Sequence, residues 1–259
     1  MSLLEEVLVI AIIAVVIFFA LPAARQLFNS LETPSGTKSL ISSALASARA
    51  IASREQQYVG IRFQHAWYDD APEQSPLKMP QYMIFIEYKP RGQDGTTDQD
   101  IFTAIDGIEP IKLPENIGVM DMVIDGTNTI DGDAEIDESL ELVDTTTFSI
   151  VFSPSGKMVV MTVQTRNRDN VRNAVDFSED DVINTETNIE KGIAMFLQDA
   201  APDNSLGLVP EDSRRAFIIY DRNIFRDLPK DDRYDRYLKD LKNREMIYIN
   251  PYTGTFINK

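Results

Sequence analysis

The sequence predicts an α+β chain: one long N-terminal hydrophobic helix packed on an antiparallel β-sheet globular domain. Three observations predict it. Val7 to Leu21 reads VLVIAIIAVVIFFAL, fifteen residues without a polar side chain. Ile41, Ala44, Leu45, Ala48, Ile51 and Ala52 recur at three-and-four spacing, which is one face of an amphipathic helix. From Tyr58 onward the apolar residues come instead in short β-branched or aromatic runs bounded by turn residues, the pattern of strands.

The elements follow in order. At about 1.5 Å per residue a helix over the first twenty-one residues would span about 31 Å, close to a bilayer core. A helix apolar all round does not stay in water; it sits in lipid or among copies of itself. A secretory signal would put Lys or Arg before the run and small residues at a cleavage site after it. Here Glu5 and Glu6 precede the run, and the first basic residue is Arg25. In an ordinary anchor, the positive-inside rule would leave Arg25 and the bulk of the chain in the cytoplasm. Glu5 is costly beside an apolar stripe without a partner, and the nearest cation before Arg25 is the α-amine of Met1. Pro22 lacks an N–H and clashes with the carbonyl of Phe18, so a kink is expected between Ala14 and Ala23. Thr33-Pro34-Ser35-Gly36 predicts a second break, dividing an N-terminal helical segment over 1–57 into a membrane or filament-core half over 1–24 and an amphipathic half over 37–57.

The domain over 58–259 reads as strands and loops. YVGIRF (58–63) and QYMIFIEY (81–88) are strands, joined by a proline-containing loop over 68–80. TFSIVF, SPSG and KMVVMTVQT (147–165) read as a hairpin whose turn holds Pro154 and Gly156. AFIIY (216–220) is a strand, and MIYIN with TFIN forms a closing hairpin around PYTG. Residues 229–241 predict a short helix with Tyr234, Tyr237, Leu238 and Leu241 on its apolar face. Residues 166–205 carry no clear pattern.

Composition excludes several chemistries. The chain of 259 residues has 25 Lys and Arg against 41 Asp and Glu, a net charge of -16, which disfavours a nucleic-acid partner. It has no Cys and one His, His65, so thiol, CxxC and most histidine-based sites are ruled out. His65 beside Trp67, Asp69 and Asp70 reads as surface or packing, not catalysis. Arg214 and Arg215 read as ion-pairing rim. No enzyme is expected. The charge is concentrated: residues 91–145 hold fifteen acids and two bases, and the segment reads as an acidic insertion forming a solvated outer face. Within it Asp131, Asp133, Glu135 and Asp137 alternate, so Asp131, Asp133 and Asp137 are the calcium candidates, although DGDAEIDE departs from the EF-hand loop pattern. No other cofactor is implied.

MSLLEEVLVIAIIAVVIFFALP resembles the start of a mature type IV pilin. Met1 matches the processed, usually N-methylated first residue, Glu5 the acidic position and Pro22 the helix-breaking proline of that family. SALASARAIASREQQYVGIRF is most similar to the H-type pseudopilins. The FSPSGK and INPYTG turns also resemble pseudopilin sheets. The break at Thr33 to Gly36 and the absence of Gly before Gly36 depart from the family.

The resemblance implies a pilin fold and a structural subunit of a type IV pilus-like extracellular filament. Such a subunit sits in the inner membrane before assembly and in a helical homo-oligomer on the cell surface afterwards. A prepilin peptidase and the pilus assembly machinery are its partners. The alternatives are a pseudopilin of a type II secretion system and a membrane-anchored binding or sensor domain.

Overall fold

A computed structural model describes residues 34–90, 100–121, 139–170, 178–199, 208–229 and 232–257. Helix α1 (Pro34–Glu55) leads into strand β1 (Val59–His65), followed by a short helix α2 (Ser75–Lys78) and strand β2 (Gln81–Lys89). Strands β3 (Ile101–Ala104), β4 (Ile111–Lys112) and β5 (Ile117–Met120) precede helix α3 (Ser139–Thr146). Then come β6 (Phe148–Phe152), β7 (Met158–Val159), β8 (Thr162–Val163), β9 (Ile183–Asn184), helix α4 (Glu186–Glu190) and β10 (Phe196–Leu197). The chain closes through β11 (Glu211–Asp212), β12 (Ala216–Asp221), helices α5 (Arg222–Asp227) and α6 (Lys239–Glu245), and strands β13 (Ile247–Ile249) and β14 (Phe256–Ile257).

The main sheet runs β3-β2-β1-β6-β7, all antiparallel, with β4 also on β2. A second sheet runs β14-β13-β12-β5. All seven residues of the central strand β1 are buried, because both faces of the main sheet are covered. Alternate residues point to opposite faces of a strand. Val59, Ile61, Phe63, Met83, Phe85, Phe148, Ile150 and Phe152 therefore meet α1 and the second sheet in one core. Ile84, Ile86 and Val151 face the other way, onto Phe102, Val163, Ile183 and Phe196.

Helix α1 buries Thr37, Ile41, Ala44, Leu45, Ala48 and Ala52, close to the stripe expected from spacing. Its opposite face carries Ser39, Ser43 and Ser47, whose hydroxyls donate to the carbonyls four residues back at 3.3, 2.9 and 2.9 Å. Arg49 ties the helix to two turns. Its Nε donates to Gly156 O at 2.8 Å and its Nη1 to Thr253 O at 3.0 Å, so the FSPSGK and INPYTG turns meet at one guanidinium. Gly156 is required there: φ is +73°, and a Cβ would lie 2.7 Å from Ser53 Oγ.

Several expectations need correction. The predicted architecture, a long N-terminal hydrophobic helix on the sheet, is not what the chain shows. The helix that covers the sheet is the 22-residue α1, polar on one side, and among the described residues no helix is long and apolar enough to cross a membrane. The apolar run and the kink expected between Ala14 and Ala23 lie outside the described residues. Pro34, Ser35 and Gly36, expected as a break, are helical.

The stretch 91–145 is not simply a solvated face. Its described parts supply β3, β4, β5 and α3, and Ile101, Phe102, Leu113, Ile117, Val119, Met120 and Leu142 are core residues. Three of its acids, Asp121, Glu141 and Asp144, are buried too.

The KMVVMTVQT run splits, with β7 on β6 and β8 on β11. The closing hairpin and the strand at 216–220 form as expected. The helix expected over 229–241 is a π-helical turn, Arg233–Leu238, running into α6. Leu238 is fully buried with Tyr237 and Leu241 packed beside it, while the Tyr234 side chain lies outside the described ones.

Candidate functional site

Met1, Glu5 and Pro22 lie outside the described residues, as do Asp131, Asp133, Glu135 and Asp137. Among the described residues no group of three or more His, Asp or Glu is placed to hold a metal ion. What the fold assembles instead is a cleft of about 1000 Å³ beside the first turns of α1. Leu40 of α1, Lys78 of α2, the 111–116 strand and turn, and the first turn of α5 line it.

Arg222 anchors this cleft. Strand β12 ends at Asp221, whose carboxylate accepts from Asn223 N at 2.8 Å and Ile224 N at 3.1 Å and so caps α5. The next residue, Arg222, donates its backbone N–H to Asn116 O at 2.8 Å. Its guanidinium is buried and spreads over three backbone carbonyls: Glu115 O at 3.1 Å, Pro76 O at 2.8 Å and Met79 O at 2.8 Å. Arg222 Nε is buried without a partner, and no carboxylate lies within ion-pair distance of this side chain among the described residues. Burial holds its pKa below the ordinary arginine range.

Lys78, Lys112 and Arg226 form an exposed rim. Lys112 Nζ holds Glu115 at 2.9 Å, and this bond, reinforced by Arg222, lowers the Glu115 pKa. Arg226 donates to Asn223 Oδ1. Four cations and one acid thus face the cleft, in a chain of net charge -16.

His65 lies directly behind Arg222. The last residue of β1, it is buried, and its Nδ1 donates to the same Met79 carbonyl at 2.9 Å. That bond assigns the proton to Nδ1 and leaves Nε2 bare, facing a small cavity shared with Trp67 and Ser75. Burial, with the Arg222 charge second, lowers the His65 pKa to about 3. Of the two readings its sequence context allowed, surface or packing, the burial of His65 at the end of β1 fits packing.

Two further ionic groups are internal ties. Arg62 and Asp199 form a buried pair, extended by Gln64 and by Thr165 N, which donates to Asp199 Oδ2 at 2.6 Å. Arg214, read from sequence as rim, pairs with the buried Asp121 and with Glu211. Burial, then the Asp121 charge, raises Glu211 well above the ordinary range.

Sequence reading missed the cleft. Its cations come from positions 78, 112, 222 and 226, and only the last two are neighbours in the chain. The chain matches no protein-family model, and no characterised protein or solved structure matches it significantly.

Proposed function

We propose that this chain is a structural subunit of a type IV pilus-like filament, held in the inner membrane before assembly and on the cell surface after it. The observation that carries the reading is the N-terminal sequence: Glu5 at the edge of fifteen consecutive apolar residues, with Pro22 closing the run. Such a segment leaves water only for lipid or for a bundle of its own copies. Glu5 then needs a cation as it leaves the membrane, and a neighbouring subunit supplies one. The packing of α1 on antiparallel strands supports the reading, because it leaves a serine-bearing outer face on the helix that follows the apolar run. The H-type pattern running from α1 into β1 also favours a second reading, a pseudopilin of a type II secretion system.

Glu5→Ala tests the proposal. Membrane insertion should persist while the yield of sheared surface filaments falls about a hundredfold or more, since breaking one buried charge pairing costs about 3–5 kcal/mol. Normal filament yield from Glu5→Ala subunits would overturn this role. Filaments that lack the chain, or monomers at all concentrations in detergent, would overturn the filament reading itself.

A further inference from the structure

Three buried polar atoms belong to residues that surround one small cavity. His65 Nε2, Trp67 Nε1 and Ser75 Oγ make no hydrogen bond among the described residues. All three residues line a cavity of about 20 Å³ between the end of β1 and α2. His65 and Ser75 are 5% and 6% exposed. The other polar groups of these residues are engaged. His65 Nδ1 donates to Met79 O at 2.9 Å, the Trp67 backbone N–H to Met195 O at 3.0 Å, and the Ser75 backbone N–H to Pro72 O. Gln64, also on the wall, donates from Nε2 to Leu197 O at 2.7 Å and accepts at Oε1 from Arg62 Nε at 2.8 Å. Val143, Leu197 and Leu208 supply apolar wall.

Size and chemistry together select the occupant. A buried water needs about 10–15 Å³ and two to four polar partners, so the cavity has room for one. Cavities that stay dry are apolar, and a buried donor or acceptor left unpaired is costly. The indole N–H only donates. With its proton on Nδ1, the imidazole only accepts at Nε2. The serine hydroxyl does either. The occupant must therefore accept from Trp67 and donate to His65 within the space of a single heavy atom. An ammonium ion has nothing with which to accept, a halide has nothing to donate, and a metal ion would face the indole proton.

We propose that this cavity is the binding site of one structural water, which accepts from Trp67 Nε1, donates to His65 Nε2 and bonds to Ser75 Oγ. The water joins the last residue of β1, the loop after it and the first residue of α2. Pro76 of α2 and Met79 just beyond it offer the carbonyls that hold the Arg222 guanidinium at 2.8 Å each. The water thus fastens this side of the Arg222 cleft to the main sheet. The site stands independently of the filament reading.

Trp67 and His65 are the chain's single tryptophan and histidine, so the indole N–H and the imidazole each give one unambiguous signal. The test is water-selective NOE and ROE spectroscopy on the full ¹⁵N,¹³C-labelled chain in detergent. The indole proton and the two imidazole carbon-bound protons should show cross-peaks to the water line, opposite in sign between the two experiments, as for a water held by the protein. Ser75→Ala and Thr147→Val each remove a hydroxyl of the wall that could relay the signal. The cross-peaks should survive both substitutions, with the backbone ¹⁵N–¹H spectrum reporting that each variant is folded. No cross-peaks in the folded wild type would overturn the proposal. Cross-peaks of the same sign in both experiments would overturn it too, because the indole would then be exchanging directly with bulk water. Their loss in either folded variant would assign them to the hydroxyl and overturn it as well.

Discussion

His65 makes the fold's dependence on pH measurable, because it is the chain's single histidine. Its pKa falls from an ordinary 6.5 to about 3 in the folded state, through burial first and the Arg222 charge second. The unfolded chain therefore binds a proton between those values that the folded chain refuses. The neutral imidazole's contribution is complete above pH 6.5 and is lost as pH falls toward 3. At about 1.4 kcal/mol per pH unit the full loss is roughly 5 kcal/mol, and the part between pH 7 and 5 is about 2 kcal/mol. Glu211 acts in the opposite sense. Its pKa is raised, so its contribution is complete below 4.5 and is lost as pH climbs above that value. The slope of the wild type alone mixes the two groups. The difference between wild type and His65→Asn isolates the histidine, and the Asn amide can still donate to Met79 O.

Urea unfolding of both proteins in detergent at pH 7, 6 and 5 should show His65→Asn gaining about 2 kcal/mol on the wild type across that range. In the folded wild type the ring ¹³C–¹H signals should stay at neutral-imidazole positions throughout. A ring titrating near 6.5 in the folded protein, or a stability difference flat with pH, would refute the burial argument.

Other substitutions probe the ties around this centre. Gly118→Ala would put a Cβ within 2.2 to 2.5 Å of the buried Tyr220 ring, so thermal melting should show a loss of about 1–3 kcal/mol. Gly107→Ala meets nothing within 4 Å and pays only for its positive φ, so it should cost about 1 kcal/mol. Gln81→Leu removes bonds to Val119 O, Thr146 O and Val119 N that join β2, β5 and the end of α3; urea unfolding should show a loss of roughly 3 kcal/mol. Arg62→Met strands the fully buried Asp199 and should cost about 3–5 kcal/mol. Arg54→Met breaks an exposed pair with Glu55 and should cost less than about 1 kcal/mol in the same assay.

What the sequence disclosed depended on how local each cause was. The α1 stripe was legible because a helix repeats its buried positions every three or four residues, and only Ile51 of the six expected positions is merely half-buried. Strand β2 was legible because β-branched and aromatic residues fill it from Gln81 to Tyr88, one residue short of its end. The run after Gly156 misled for a physical reason. Apolar residues continue through it, but Val160 is 41% exposed where the chain leaves β6 to pair with β11. Strands β9 and β10 in 166–205 gave no signal, since two-residue strands have no period. Asparagines help to hold that region, as where Asn184 Oδ1 accepts from Asn188 Nδ2 at 3.1 Å.

Charge was the least local property of all. Counting acids over 91–145 predicted a face turned to solvent, yet Asp121 is buried because Arg214, 93 residues later, meets it. The same separation hides the Arg222 cleft, whose cations are brought together only when β12 lies against β5 and α2 folds over the end of β1. A segment's net charge therefore says how much counter-charge it requires and nothing about where that lies. For Asp121 it lies inside the same fold.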